Sequence, residues 1–200
     1  MMLSGLLGLL GAVVYGSFFE WFAHKHVMHT QRFSKLAFQR HVVDHHQTRR
    51  SLRNFYIAPQ DKKTYHAGET SVVPILWALH FPLYALLYWL CGMPAAIGAA
   101  IGCGLYIGGY ELLHFFIHAP KNYWFQRTRL FRFYCEYHRV HHLKPRKNYN
   151  IVLPLADVLL RTLSLEDMRP EPSAPAFVPR DTGPQSVFQD SLPQPDTAKQ

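Results

Sequence analysis

The sequence predicts an all-α integral membrane bundle: about three transmembrane helices, added interfacial helices, and a histidine-rich cap at one end. Three observations lead there. Nearly half of the 200 residues are apolar (48%). Residues 1–23 and 71–118 contain no Lys or Arg, so all 21 basic residues fall in 24–70 (nine) and 119–200 (twelve). Stretches this long without a basic residue suit hydrocarbon, where a charge is costly. Finally, ten of the 13 histidines fall into four short groups just outside the apolar segments or at their ends.

The first apolar segment is LSGLLGLLGAVVYGSFFEWF, 3–22. No basic residue precedes it and no clear small-residue cleavage site follows, which argues against a signal peptide. Its 20 positions span roughly 30 Å as a helix, one hydrocarbon core. The second, SVVPILWALHFPLYALLYWL at 71–90, carries Pro74 and Pro82, so a bent helix is expected there. His80, beside Pro82, is expected to hydrogen-bond a backbone carbonyl. CGMP, 91–94, is a turn. The third segment, 95–118, is about 36 Å long as a helix, and Gly98, Gly102, Gly104, Gly108 and Gly109 permit close helix packing. Residues 151–165, IVLPLADVLLRTLSL, read as a short interfacial helix. The membrane domain therefore covers 1–167. Beyond it, 168–200 reads as a disordered tail, since seven of the 14 prolines lie in 170–200 among Ser, Gln, Asp and Thr.

Charge gives an orientation. The loop at 91–94 has no basic residue, whereas 24–70 and 119–169 have many, which puts both basic regions in the cytoplasm and the N-terminus outside. The first helix then delivers His24 to the cytoplasmic face, and the third brings His114 and His118 to the same face. The net charge of +8 is explained by these flanks and by anionic lipid, and no nucleic-acid-binding motif accompanies it. Cys91, Cys103 and Cys135 are widely spaced with no CxxC, as in a reduced compartment.

The histidine groups have ligand-compatible spacing. His24 and His29 are five apart, roughly 140° on an α-helix, and share a face only if the helix bends or frays. His41 and His45 are i,i+4 neighbours with His46 beside them. His114 and His118 are again i,i+4, and His138, His141 and His142 line one face. A lone pair of this kind is ordinary packing. Ten rings at one face are not, and neutral imidazole ligates iron, zinc and copper well. Ten donors exceed one tetrahedral ion but suit two ions, each with about five ligands and a position left for water or O2. Glu20 and Glu111 precede His24 and His114 on their helices, in or near the membrane where an acid is expensive. They are expected to stand behind the ligands and orient a ring or a bound water. Asp44 lies within the second group.

These groups resemble the histidine boxes of the fatty acid hydroxylase and sterol desaturase superfamily, and carotenoid hydroxylases share related boxes. They stand here as His24-X4-His29, His41-X3-His45-His46, His114-X3-His118 and His138-X2-His141-His142. EWFAHK at 20–25 resembles the family's lead into the first box, and NYNIVLPLADVLLRTL at 148–163 the segment after the last. The family often has glycine where Asn150 and Arg161 stand. The resemblance covers roughly 16–163. It implies a membrane-bound non-haem di-iron oxygenase that uses O2 to hydroxylate or desaturate a C–H bond of a lipid, such as a fatty acyl chain or sterol. Its cofactors would be two iron ions, with zinc possible in the protein as isolated, and the ten histidines as ligands. The cytochrome b5 domain of some members is absent, so a separate donor, cytochrome b5-like or a ferredoxin, would supply electrons. Arg49, Arg50 and Lys144 could meet an anionic head group, or serve only topology and phospholipid contact. The alternative is a metal-binding membrane protein without oxygenase activity, such as a haem electron carrier or a zinc hydrolase. The first would leave most of the histidines idle, and the second lacks an HExxH motif.

Overall fold

A computed structural model describes residues 2–49, 55–56, 72–119 and 123–168, and every regular element among them is helical. Helix α1 runs Met2–Phe22 and continues unbroken into a π-helical turn, Ala23–Met28. Helix α2 starts at Lys35, capped by the Ser34 hydroxyl, which accepts from the Ala37 N–H at 3.1 Å. It also passes from α (Lys35–Phe38) to π (Gln39–His46) before a last α turn, Gln47–Arg49. Helices α3 (Val72–Leu79) and α4 (Phe81–Cys91) meet at a 43° bend. Pro82 opens α4 without an amide hydrogen to bond backwards. Beside it, His80 Nδ1 donates to the Leu76 carbonyl at 2.7 Å, the carbonyl bond expected of it. Helix α5 is Met93–His118, a 3-10 turn follows at Trp124–Arg127, and α6 is Arg129–Leu143 with Thr128 as its hydroxyl cap.

Two helices are long and apolar enough to cross a membrane: Met2–Met28 (27 residues) and Met93–His118 (26 residues). Each is about 40 Å long at 1.5 Å per residue. A hydrocarbon core is about 30 Å, so each has a turn or two to spare. Together, α3 and α4 meet the same length and composition test as a broken span.

The two long helices run parallel. Gly5 lies against Pro94, Gly8 against Ala95, and Gly16 against the Tyr106 ring. Contact is backbone to backbone: a Cβ at Gly98 would sit 2.0 Å from the Gly5 carbonyl oxygen, and one at Gly8 would sit 2.2 Å from that of Ala95. No other residue fits there. The glycine stripe is narrower than expected, however. Gly98 and Gly102 face α1 and Gly104 faces the Trp77 ring, while a Cβ added at Gly108 or Gly109 would meet no other part of the described residues within 4 Å. The sequence pattern treats these glycines alike, but the crossing of two straight helices brings them close only near the first half of α5. On the far side of α1, Leu3, Leu6, Leu7, Leu10, Val14 and Phe18 are exposed, the surface lipid would cover. Because α1 and α5 are parallel, His24 and His29 emerge at the same end as His114 and His118.

The segment 151–165 differs from its expectation. Its helix, α7, covers only Leu155–Leu159. Arg161 adopts a left-handed conformation (φ 58°), and the Asp157 carbonyl accepts from the Thr162 and Leu163 N–H groups, which turns the chain back on itself. Most of the segment expected to be disordered, and also Arg50 and His66, lie outside the described residues.

Candidate metal centre

The unusual backbone of α1 and α2 explains their histidines. An α turn leaves residues five apart on different faces, whereas a π turn closes its hydrogen bonds between residues five apart. The His29 N–H donates to the His24 carbonyl at 3.1 Å, so the two rings come to one side and their centroids lie 5.1 Å apart. The same device brings His41 and His46 together in α2, 4.7 Å between centroids. Helices α5 and α6 need no such distortion, since His114 and His118, like His138 and His142, are one α turn apart. In α6, every residue from Cys135 to His142 is buried, so its last turns are packed on all sides.

All ten histidines converge, in two groups of five. The first is His24, His29, His41, His46 and His141; the second is His45, His114, His118, His138 and His142. Within each group, one ring nitrogen per residue lies within 4.8 Å of all the others. Imidazole nitrogens ligate at about 2.0–2.1 Å, so donors opposite one another across an ion stand about 4 Å apart, and the spread fits one ion per group. In the first group the Nε2 atoms of His24 and His41 are 2.8 Å apart, His41 and His46 3.1 Å, and His29 and His141 3.1 Å. In the second, His118 and His138 are 3.0 Å apart, His138 and His142 3.0 Å, and His45 and His114 3.2 Å. The groups adjoin through the stacked rings of His46 and His142, 4.2 Å between centroids. The boxes do not map one to one onto the groups. His41 joins His46 in the first group and His45 goes to the second; His141 and His142 also separate. Adjacent residues on a helix point roughly 100° apart, so each adjacent pair serves both groups. The grouping of His41 with His45, natural at α spacing, gives way to the π turn.

The rings are prepared to donate lone pairs. His24 Nδ1 donates to the Tyr149 carbonyl, His141 Nδ1 to that of Lys147 at 2.6 Å, and His118 Nδ1 to that of Phe55 at 2.8 Å. A carbonyl only accepts, so these bonds place the proton on Nδ1 and leave Nε2 free to bind. Burial holds the rings neutral. It lowers His29 to about 3 and His141 to about 4, and carries His41, His45, His46, His138 and His142 well below the usual imidazole range, with neighbouring rings adding to the effect. The buried Nδ1 atoms of His46, His138 and His142 have no hydrogen-bond partner among the described residues. The buried Nε2 lone pairs of His24, His118 and His141, aimed at other rings of their groups, are unfavourable if left without a partner. A cation between the rings supplies that partner.

Of the acids, Glu20 is buried and accepts from the Tyr106 hydroxyl at 2.7 Å, Asn150 Nδ2 at 3.1 Å and the Ile151 N–H at 2.5 Å. It joins α1 to α5 and to the chain after α6, one peptide away from the carbonyl that holds His24. Glu111 is half-buried on α5, before His114. Asp44 accepts from Gln39 Nε2 at 3.2 Å on the exposed side of α2. Lys144 pairs with Asp167 at 2.5 Å, and Arg49 is buried with Nη1 3.4 Å from the Tyr56 carbonyl. His26 packs on Trp21 and Phe22, apart from both groups.

Residues absent from the sequence-based site are Ser17, Tyr137, Asn148, Asn150 and Asp157, all buried and linked by hydrogen bonds. The signal that could have found them is NYN followed by an aspartate seven positions after the second Asn, a turn chemistry directly after the last histidines. No protein-family model, curated protein or solved structure matches this chain.

Proposed function

We propose that this chain is a membrane-bound non-haem di-iron oxygenase that hydroxylates or desaturates a C–H bond of a lipid. The observation that carries the reading is the pair of five-histidine groups at one end of two parallel apolar helices. The histidine-box resemblance at His24 to His142 points the same way. In this reading α3 and α4 form a third, broken crossing, and the basic flanks put the cap, with both groups, on the cytoplasmic side.

The first five histidines would hold one iron and the second five the other. When bound, a pair of reduced irons supplies what no side chain here has: activation of O2 for oxidation of an unactivated C–H bond. The chain's own work is orientation and exclusion. The Tyr149, Lys147 and Phe55 carbonyls fix three rings in the donating tautomer. Burial of His24, His118, His138, His141 and His142 keeps bulk water from the centre. The lipid substrate arrives from the bilayer, and the centre sits past the helix ends, where head groups lie. Electrons come from a separate cytochrome b5-like protein or ferredoxin.

The test is metal analysis of detergent-purified protein, with an O2- and reductant-dependent lipid oxidation assay. The parent should hold about two irons per chain and oxidise lipid. The double variant His141→Ala, His142→Ala takes one ligand from each group and should lose both ions and the activity. Two zincs after iron-replete expression, with no O2-dependent product, would overturn the oxygenase and keep the metal centre.

A further inference from the structure

The chain after α6 folds back over the cap as a strap, 144–164, and in it lies a carboxylate that the chemistry above leaves unused. Asp157 is fully buried, 0% exposed. Its Oδ1 accepts from the Tyr149 N–H at 3.1 Å and the Thr162 hydroxyl at 2.5 Å. Its Oδ2 accepts from the Asn150 N–H at 2.7 Å and the Tyr137 hydroxyl at 2.7 Å.

The Asn150 N–H belongs to the same peptide unit as the Tyr149 carbonyl. In a trans peptide the N–H and C=O point in opposite directions. Holding that N–H on Asp157 therefore aims the Tyr149 carbonyl away from Asp157, at His24 Nδ1. The peptide unit two before it repeats the arrangement. The Asn148 N–H donates to the Thr162 carbonyl at 3.0 Å, which aims the Lys147 carbonyl at His141 Nδ1. Thr162 is held in turn, because its hydroxyl donates to Asp157 Oδ1 and its N–H to the Asp157 carbonyl at 2.9 Å. Both aimed histidines belong to the first group.

We propose that Asp157 is the positioning residue of the first metal site: through two peptide units it sets the tautomer and direction of His24 and His141. Histidine ligands commonly lean on a carboxylate directly. Here a peptide unit stands between, and the carboxylate also polarises it, strengthening the carbonyl as an acceptor. Among the described residues, no hydrogen bond of Asp157 falls on a peptide whose carbonyl holds a ring of the second group. The inference rests on the metal-centre reading above.

The experiment counts ions retained by the full chain in detergent, loaded with iron(II) and challenged with a graded chelator. Asp157→Asn keeps the shape but turns an NH2 toward N–H and O–H donors. It should weaken one of the two ions roughly 10–100-fold, the usual effect of losing such a support, and leave the other at parent affinity. Tyr137→Phe removes one bond and keeps the carboxylate. It should weaken the same ion by a smaller factor, and it decides the matter if Asp157→Asn does not fold by circular dichroism. Ser17→Ala is the control, since it removes only the hydroxyl that ties α1 to the strap through Leu153 and Ala156 and keeps the backbone carbonyl that accepts from Asn150. Both ions held at parent affinity in the folded variants, or both lost in parallel as in Ser17→Ala, would overturn the assignment. A parent that binds no ion would instead sink the metal-centre reading beneath it.

Discussion

The two histidine groups contain the same number of the same residue, yet they are built differently. The second takes four of its rings from two regular helices: His114 with His118 on α5, and His138 with His142 on α6, each pair one α turn apart. Only His45 comes from elsewhere. The first takes three rings from two π turns, a fourth from His29, the cap that closes the first of them, and one from α6, then fixes His24 and His141 with carbonyls of a folded-back strap. Regular helix geometry thus supplies four of the five rings of one group, and the other rests mainly on irregular backbone with its own support. π turns lose good hydrogen-bond geometry and persist where function selects them.

The comparison breaks most sharply at neighbouring ligands. His41 and His45 sit four residues apart on one element and serve different groups. His41→Ala should empty the first site and spare the second; His45→Ala should do the reverse. Each should hold one ion per chain in place of two and abolish lipid oxidation, a larger effect than the roughly 10–100-fold cost of losing an outer partner. Equal loss of both ions in either variant would show that the two groups act as one cluster. Metal counting on the purified variants reads this directly.

Acid should act on both groups together, because both consist of rings buried in the neutral form. A free imidazole titrates near 6.5, while His29 stays neutral down to about 3 and His141 to about 4. The unfolded chain therefore binds protons that the folded chain refuses. With more protons bound in the unfolded state, stability is full above about pH 6.5 and falls as the pH drops toward the folded values, by up to about 1.4 kcal/mol per unit for each fully buried ring. Melting of the metal-free protein should be flat from pH 8 to 6.5 and decline below. A melting temperature that holds to pH 4.5 would mean that the rings are not buried as neutral groups.

The difference between the groups also marks what was legible in the sequence. The long apolar helices follow from the absence of Lys and Arg in 1–23 and 71–118, and the pairs 114/118 and 138/142 follow from α spacing. The partition of His41, His45 and His46 does not, since a π turn has no residue code and is selected by tertiary demand. The strap was hidden for a related reason. IVLPLADVLLRTL has the apolar content of a helix, and only a left-handed Arg161, with a carboxylate gathering peptide N–H groups, shows that it turns back. The side-chain contacts of Asp157 span five to twenty residues, most of them beyond the reach of local pattern.

The strap's two left-handed residues give the finest contrast. Asn148 (φ 54°) and Arg161 (φ 58°) both sit where glycine is favoured. The Asn148 side chain donates to the Tyr137 and Ser164 carbonyls at 3.2 and 2.9 Å, and accepts from the Ser164 N–H at 2.7 Å. Arg161 is exposed. Asn148→Gly relieves the backbone but leaves buried partners unmet, so it should destabilise by about 1–3 kcal/mol and loosen the first ion, whose Lys147 carbonyl adjoins it. Arg161→Gly relieves a left-handed non-glycine residue that costs about 1 kcal/mol, partly offset by the greater freedom of glycine in the unfolded chain. It should raise stability by a few tenths of a kcal/mol and leave both ions in place. Chemical denaturation in detergent, with metal counting beside it, separates the two. Equal destabilisation by both glycines would mean that the left-handed turns, and not the Asn148 hydrogen bonds, hold the strap against the first site.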